Sequence, residues 1–254
     1  MALPMLGEFA LRLAGGLAGL LLLTPSRQVP LAFFRTQFQI IMALLVLAAL
    51  DQGRSDPDRV LLGLTIAAAA LGFVGSVAWG LGLPRVGVPA AALIVTSVAA
   101  VLIGASRTAW WPLWALNSAE GLASGAVMGS TLTAMLLGHH YLTAPAMSIE
   151  PLKRFVRAMV GSLAVRTVLG GVALWAWYRG LATTTHGGGV TPLFLAIRWV
   201  VGLAGPTLAT YLAWKTVQIR STQSATGILY IAMILVLFGE VTATALSHRS
   251  GVFF

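Results

Sequence analysis

The chain has 254 residues, 58% of them hydrophobic and 9% charged, with 16 Lys and Arg against 7 Asp and Glu and no cysteine. A mean hydropathy of +0.89 excludes a soluble catalytic domain, and the chain reads as all-α: a polytopic integral membrane protein in which residues 1–254 form a single transmembrane helical domain of about eight helices with short loops. The net charge of +9 is spread over loop ends rather than gathered in a stripe, which points to membrane lipids and away from nucleic acid, and the missing cysteines exclude disulfides, thiolate metal sites and protein-ligated iron–sulfur clusters.

The first apolar stretch, Leu6 to Leu23, lacks a basic leader and carries Glu8 and Arg12, so it reads as a retained first helix rather than a signal peptide. Its acid and base stand at i and i+4, the spacing that lets them pair on one face. Further spans are expected over Leu31 to Leu50, Val60 to Leu83, Val88 to Gly104, Leu113 to His139, Phe155 to Tyr178, Pro192 to Trp214 and Thr226 to Ser247. Between them lie Thr24 to Pro30, the acidic Asp51 to Arg59, Pro84-Arg85, Arg107 to Pro112, and the glycines after His186, all with helix-stopping chemistry. Loops this short force antiparallel neighbours and hence a compact bundle.

The fifth span is rich in Gly, Ala, Ser and Thr. Gly121, Gly125 and Gly129 recur every fourth residue, which lines them up on one face as a packing seam and places this helix at the bundle centre. The seventh span holds Gly202, Gly205 and Pro206, an interruption read as a kink or as the broken helix of a transporter. Against the transporter, the two halves of the chain show no convincing repeat.

Charges inside the apolar runs are the most informative feature: Glu8, Arg12, Arg35, Glu120, Arg166, Arg198 and Glu240. At bilayer depth each costs roughly 2.5–3.5 kcal/mol, so each needs a partner, a water-filled cavity or a ligand. Antiparallel threading brings Glu120, Arg198 and Glu240 to one level, with Arg166 within reach below. The constellation is either a proton or ligand path or a static ion-pair network that fixes helix register.

At the opposite membrane surface, His139, His140 and Tyr141 close the fifth span, followed by the basic turn Lys153, Arg154, Arg157. Histidine and tyrosine at headgroup level can hydrogen-bond a quinone carbonyl, and Arg35, Gln37 and Gln39 on the second span begin at that surface and are candidates to line the same site. The alternative is an interfacial anchor beside a phosphate-binding patch. A bis-histidine heme within this chain alone is disfavoured, since His186 and His248 are expected at the far surface; no metal site is expected.

Lys and Arg counts across the loops place both termini on the non-cytoplasmic side of a bacterial inner membrane, together with a half-belt of tryptophans that includes Trp110, Trp111 and Trp175. Three functions are consistent with these residues. One is a membrane subunit of a larger respiratory, electron-transfer complex, quinone-binding or in contact with a cofactor, and at most a non-catalytic or quinone-reactive part of an oxidoreductase. The second is a small secondary transporter or channel built on the buried Glu/Arg network. The third is a purely structural membrane subunit.

Overall fold

The computed structural model describes residues 3–54, 58–108, 110–143, 147–179 and 192–250; Asp56 and His186 lie outside them. Regular structure among the described residues is entirely helical. In chain order come α1 (Met5–Leu22), α2 (Leu31–Gly53), α3 (Arg59–Gly80), α4 (Pro84–Ala105), α5 (Trp111–Thr143) and α6 (Glu150–Tyr178). Then α7 (Pro192–Ala196), a π-helical stretch (Ile197–Ala204) and α8 (Gly205–Gln218) run on as one span, and α9 (Thr222–Ser250) closes the chain. Eight spans are long and apolar enough to cross a membrane, so this is a polytopic helical bundle, and the helix positions agree with the hydropathy pattern to within a few residues.

The punctuation of the sequence explains where these helices begin. Pro4 and Pro30 stand at the N-caps of α1 and α2, and prolines occupy the first turns of α4 and α6, where the missing N–H costs nothing. Asp58 caps α3 by accepting from the amides of Val60 at 2.8 Å and Leu61 at 3.4 Å. The turns from α3 to α4 and from α8 to α9 close through positive φ at Gly82 and Arg220. No side chain of its own caps α1. Asp51, at the far end of α2, does so instead: its Oδ2 accepts from the amide of Gly7 at 2.7 Å. This acid, which the sequence suggests only as part of a surface loop, ties the start of the first helix to the end of the second.

Helix α1 packs on α2, α4, α5 and α9, while α5 packs on α1, α6 and α9 and meets α4 at one end, where Trp114 Nε1 donates to the Ile103 carbonyl at 2.9 Å. The pair α1–α5 therefore joins a layer of α2, α3 and α4 to a layer of α6, α8 and α9. α5 is the most enclosed span, with 78% of its most apolar stretch buried against 28% for α6. Glycines set this seam. A Cβ added to Gly16 would lie 1.8 Å from the carbonyl oxygen of Gly125, and one on Gly129 would lie 2.2 Å from the carbonyl carbon of Gly16, so the two backbones touch. Gly125 also abuts the main chain of Arg12, but Gly121 does not belong to the seam: a Cβ there would meet only the Arg12 guanidinium, at 3.8 Å.

The seventh span departs from α geometry because Pro206 has no amide hydrogen and its ring excludes the carbonyl four residues back. The ladder re-forms with wider turns over Ile197–Ala204, where the Gly205 amide donates to the Val200 carbonyl. Gly202 in this stretch meets Gly239 of α9 backbone to backbone; a Cβ on either would sit within 2.7 Å of the other's Cα. That contact holds Arg198, one turn before Gly202, beside Glu240.

Candidate functional site

Glu120 on α5, Arg166 on α6, Arg198 in the π-helical stretch and Glu240 on α9 converge, each with 1% of its surface exposed. Arg166 is the hub. Its Nε donates to Glu240 Oε1 at 3.1 Å and Oε2 at 3.3 Å, and its Nη2 donates to Oε2 at 3.1 Å. Its Nη1 forms an ion pair with Glu120 Oε2. Arg198 Nη1 reaches Glu240 Oε1 at 3.0 Å. Sequence threading sets Glu120 beside Arg198 and Glu240 with Arg166 beneath; the observed partner of Glu120 is Arg166, which stands between the two acids. The guanidinium fork suits this, since it presents several donors in a plane to two carboxylates at once.

A second group adjoins the first. Glu8 and Arg12 form an ion pair within α1, His248 Nε2 lies 3.1 Å from Glu8 Oε2, and Arg12 Nη1 donates to Thr244 Oγ1 at 3.4 Å. Thr244 Oγ1 in turn donates to the main-chain oxygen of Glu240 at 2.8 Å. Glu240, Thr244 and His248 are spaced by four residues, one stripe along α9. Sequence reasoning missed Thr244; it placed His248 at the surface, where it is exposed, but missed its contact with Glu8, although that spacing was there to be read. The His248–Glu8 contact also fixes the first and last helices at the same end of the bundle.

Six buried charges thus comprise three acids, Glu8, Glu120 and Glu240, and three arginines, Arg12, Arg166 and Arg198. Each carboxylate is held by a guanidinium of the same chain, and the set is neutral. Removing one member of such a cluster is costly because its partner is left charged in a low-dielectric interior.

The group at the other end of the bundle does not converge. His139, His140 and Tyr141 are consecutive, and about 100° of helix rotation per residue points them apart. Tyr141 is buried and its hydroxyl donates to the carbonyl of Ser148. His140 is half-buried, with Nδ1 3.3 Å from the Leu136 carbonyl oxygen and its ring edge-on to Phe33 at 5.5 Å. His139 alone is exposed, 3.5 Å from the Tyr230 hydroxyl. Arg35 is exposed and lies over Gly80, whereas Gln37 is buried; residues two apart on a helix cannot face the same way. The expectation that these side chains line one groove is therefore corrected: they occupy separate environments, with the Tyr141 hydroxyl and His140 Nδ1 directed to backbone carbonyls and Gln39 exposed.

No family model, no curated protein and no solved structure matches this chain.

Proposed function

We propose that this chain is an integral membrane subunit, a rigid charge-locked helical scaffold that works inside a larger membrane assembly. The observation that carries this reading is the closed neutrality of the buried network: three carboxylates are matched by three guanidiniums on α1, α5, α6, the π-helical stretch and α9. An ion-coupled transporter needs an intramembrane carboxylate whose counter-charge comes and goes. Among the described residues each buried acid, Glu8, Glu120 and Glu240, is paired with an arginine, which favours a subunit over the transporter or channel. A bacterial inner membrane, with both termini on the non-cytoplasmic side, agrees with the distribution of Lys and Arg.

The narrower form of the proposal is a respiratory, quinone-binding subunit. The inner-end histidines give it less support than the sequence suggests, because only His139 with Tyr230 remains accessible. Isolation in mild detergent from the native membrane tests the broader reading. Stable co-isolating subunits, with a redox spectrum for the respiratory form, are the expected result; a chain that isolates alone and carries a small solute across vesicles overturns it.

A further inference from the structure

Lys153, Arg154 and Arg157 stand in the first turns of α6, Lys215 in the last turn of α8, and Arg220 in the turn that leads to α9. Gly171, late in α6, faces Trp199, which precedes α8: a Cβ on the glycine would lie 3.9 Å from that ring. α8 therefore runs back along the N-terminal half of α6, on which it packs, and the five cations gather at one corner of the bundle. Glu150 is the only acid there among the described residues, and it already binds Lys153 at 2.9 Å and Arg157 at 3.9 Å. Two features set the remaining cations toward lipid. The Lys215 ammonium lies 5.6 Å over the ring of Tyr211, one turn nearer the middle of the membrane, instead of reaching out to water. Arg220 has a φ of 57° in a turn where its amide donates to the Val217 carbonyl and the Ser221 amide to that of Thr216. That is the helix-ending position which glycine usually fills, so a charged side chain is held there against the backbone preference.

We propose that this corner binds the head group of an anionic phospholipid, its phosphate oxygens accepting from Arg154, Lys215 and Arg220 while its acyl chains lie along α6 and α8. Charge and position select that partner together. Five cations against one acid call for an anion, and guanidinium forks with an ammonium beside them suit phosphate oxygens. Val160 on α6 and Leu208 and Leu212 on α8 are exposed on the membrane side of these cations, which calls for an anion that carries hydrocarbon. A soluble phosphate makes no use of that apolar surface, and the ammonium of a zwitterionic lipid meets cations of its own sign. The site is formed by this chain alone, so it goes beyond the scaffold reading and stands apart from whether partner subunits co-isolate.

Native mass spectrometry of the purified full chain in detergent, titrated with phosphatidylglycerol or with phosphatidylcholine, is the test. Phosphatidylglycerol should bind the wild type more tightly by about tenfold or more, and inorganic phosphate should not displace it. At roughly fivefold for each basic residue that faces anionic lipid, Arg154→Gln combined with Lys215→Gln should weaken phosphatidylglycerol binding about 25-fold. Both side chains are exposed, so the unfolding temperature in lipid-free detergent should stay unchanged. Arg54→Gln with Arg59→Gln removes the same charge at the opposite end of the bundle and should leave the affinity as it is. Equal affinity of the wild type for the two lipids, displacement by inorganic phosphate, unaltered affinity in the Arg154 and Lys215 variant, or an equal loss in the Arg54 and Arg59 variant overturns the proposal.

Discussion

Arg166 and Glu240 meet side-on, two nitrogens of one guanidinium facing two oxygens of one carboxylate at 3.1–3.3 Å, across 74 residues of sequence and 1% exposed on both sides. Because Arg166 also holds Glu120, the strength of the network is unevenly distributed. Arg166→Leu leaves Glu120 without its arginine and Glu240 with Arg198 alone, and should cost roughly 3–5 kcal/mol, the range for breaking a buried pair. Arg198→Leu should cost less, since Glu240 keeps its two-pronged partner. Reversible unfolding in detergent, run on both variants, checks the ranking; equal losses would contradict a hub at Arg166.

Glycine substitutions should separate along α5. At Gly129 a methyl group would overlap the backbone of Gly16, whereas at Gly121 it would rest 3.8 Å from Arg12 Nε. Gly129→Ala is therefore expected to force α1 and α5 apart, at about 1–3 kcal/mol or more as overpacking does. Gly121→Ala should be close to neutral. Thermal unfolding of the two variants distinguishes them directly.

Asp51→Ala removes the side-chain acceptor that caps the Gly7 amide in the first turn of α1. Loss of an N-cap contact costs typically about 1 kcal/mol, and the effect should concentrate in the first turn. Hydrogen exchange at the amides of Gly7 and its neighbours is expected to accelerate, with the remainder of the bundle unchanged.

At the inner end, Tyr141→Phe deletes a buried hydroxyl and strands the Ser148 carbonyl, so stability should fall by about 1 kcal/mol. His139→Ala touches an exposed side chain and should leave stability within about 0.5 kcal/mol of the wild type. Parallel denaturation curves are the measurement, and a large loss for His139→Ala would show that its pairing with Tyr230 supports the fold.

The spans were legible because hydropathy, proline and loop chemistry act locally, within one helix at a time. The membership of the charge cluster was legible for the same reason: Glu120, Arg166, Arg198 and Glu240 stand out against apolar neighbours wherever they occur. Pairing was not. Whether Glu120 meets Arg198 or Arg166 depends on the relative rotation of helices far apart in sequence, which the Gly202–Gly239 and Gly16–Gly129 contacts fix. The wider turns before Pro206 add to this, since they rotate Arg198 by an amount that no uniform helical period supplies. The cluster at His139 to Tyr141 misled for a simpler reason: neighbours in sequence are not neighbours on a helix face.

Biosynthesis delivers the chain from its N-terminus, and partners that arrive late cannot shield a charge that has already entered lipid. The arrangement of acids and bases follows that order. Glu8 and Arg12 share α1; Glu120 and Arg166 belong to the consecutive helices α5 and α6; Arg198 and Glu240 belong to the last two spans. Each successive hairpin can therefore leave the translocation machinery with no net buried charge, sparing roughly 2.5–3.5 kcal/mol for every lone ion. The Arg166–Glu240 contact is different in kind: it links two hairpins already neutral by themselves, and so can form only when the second docks on the first.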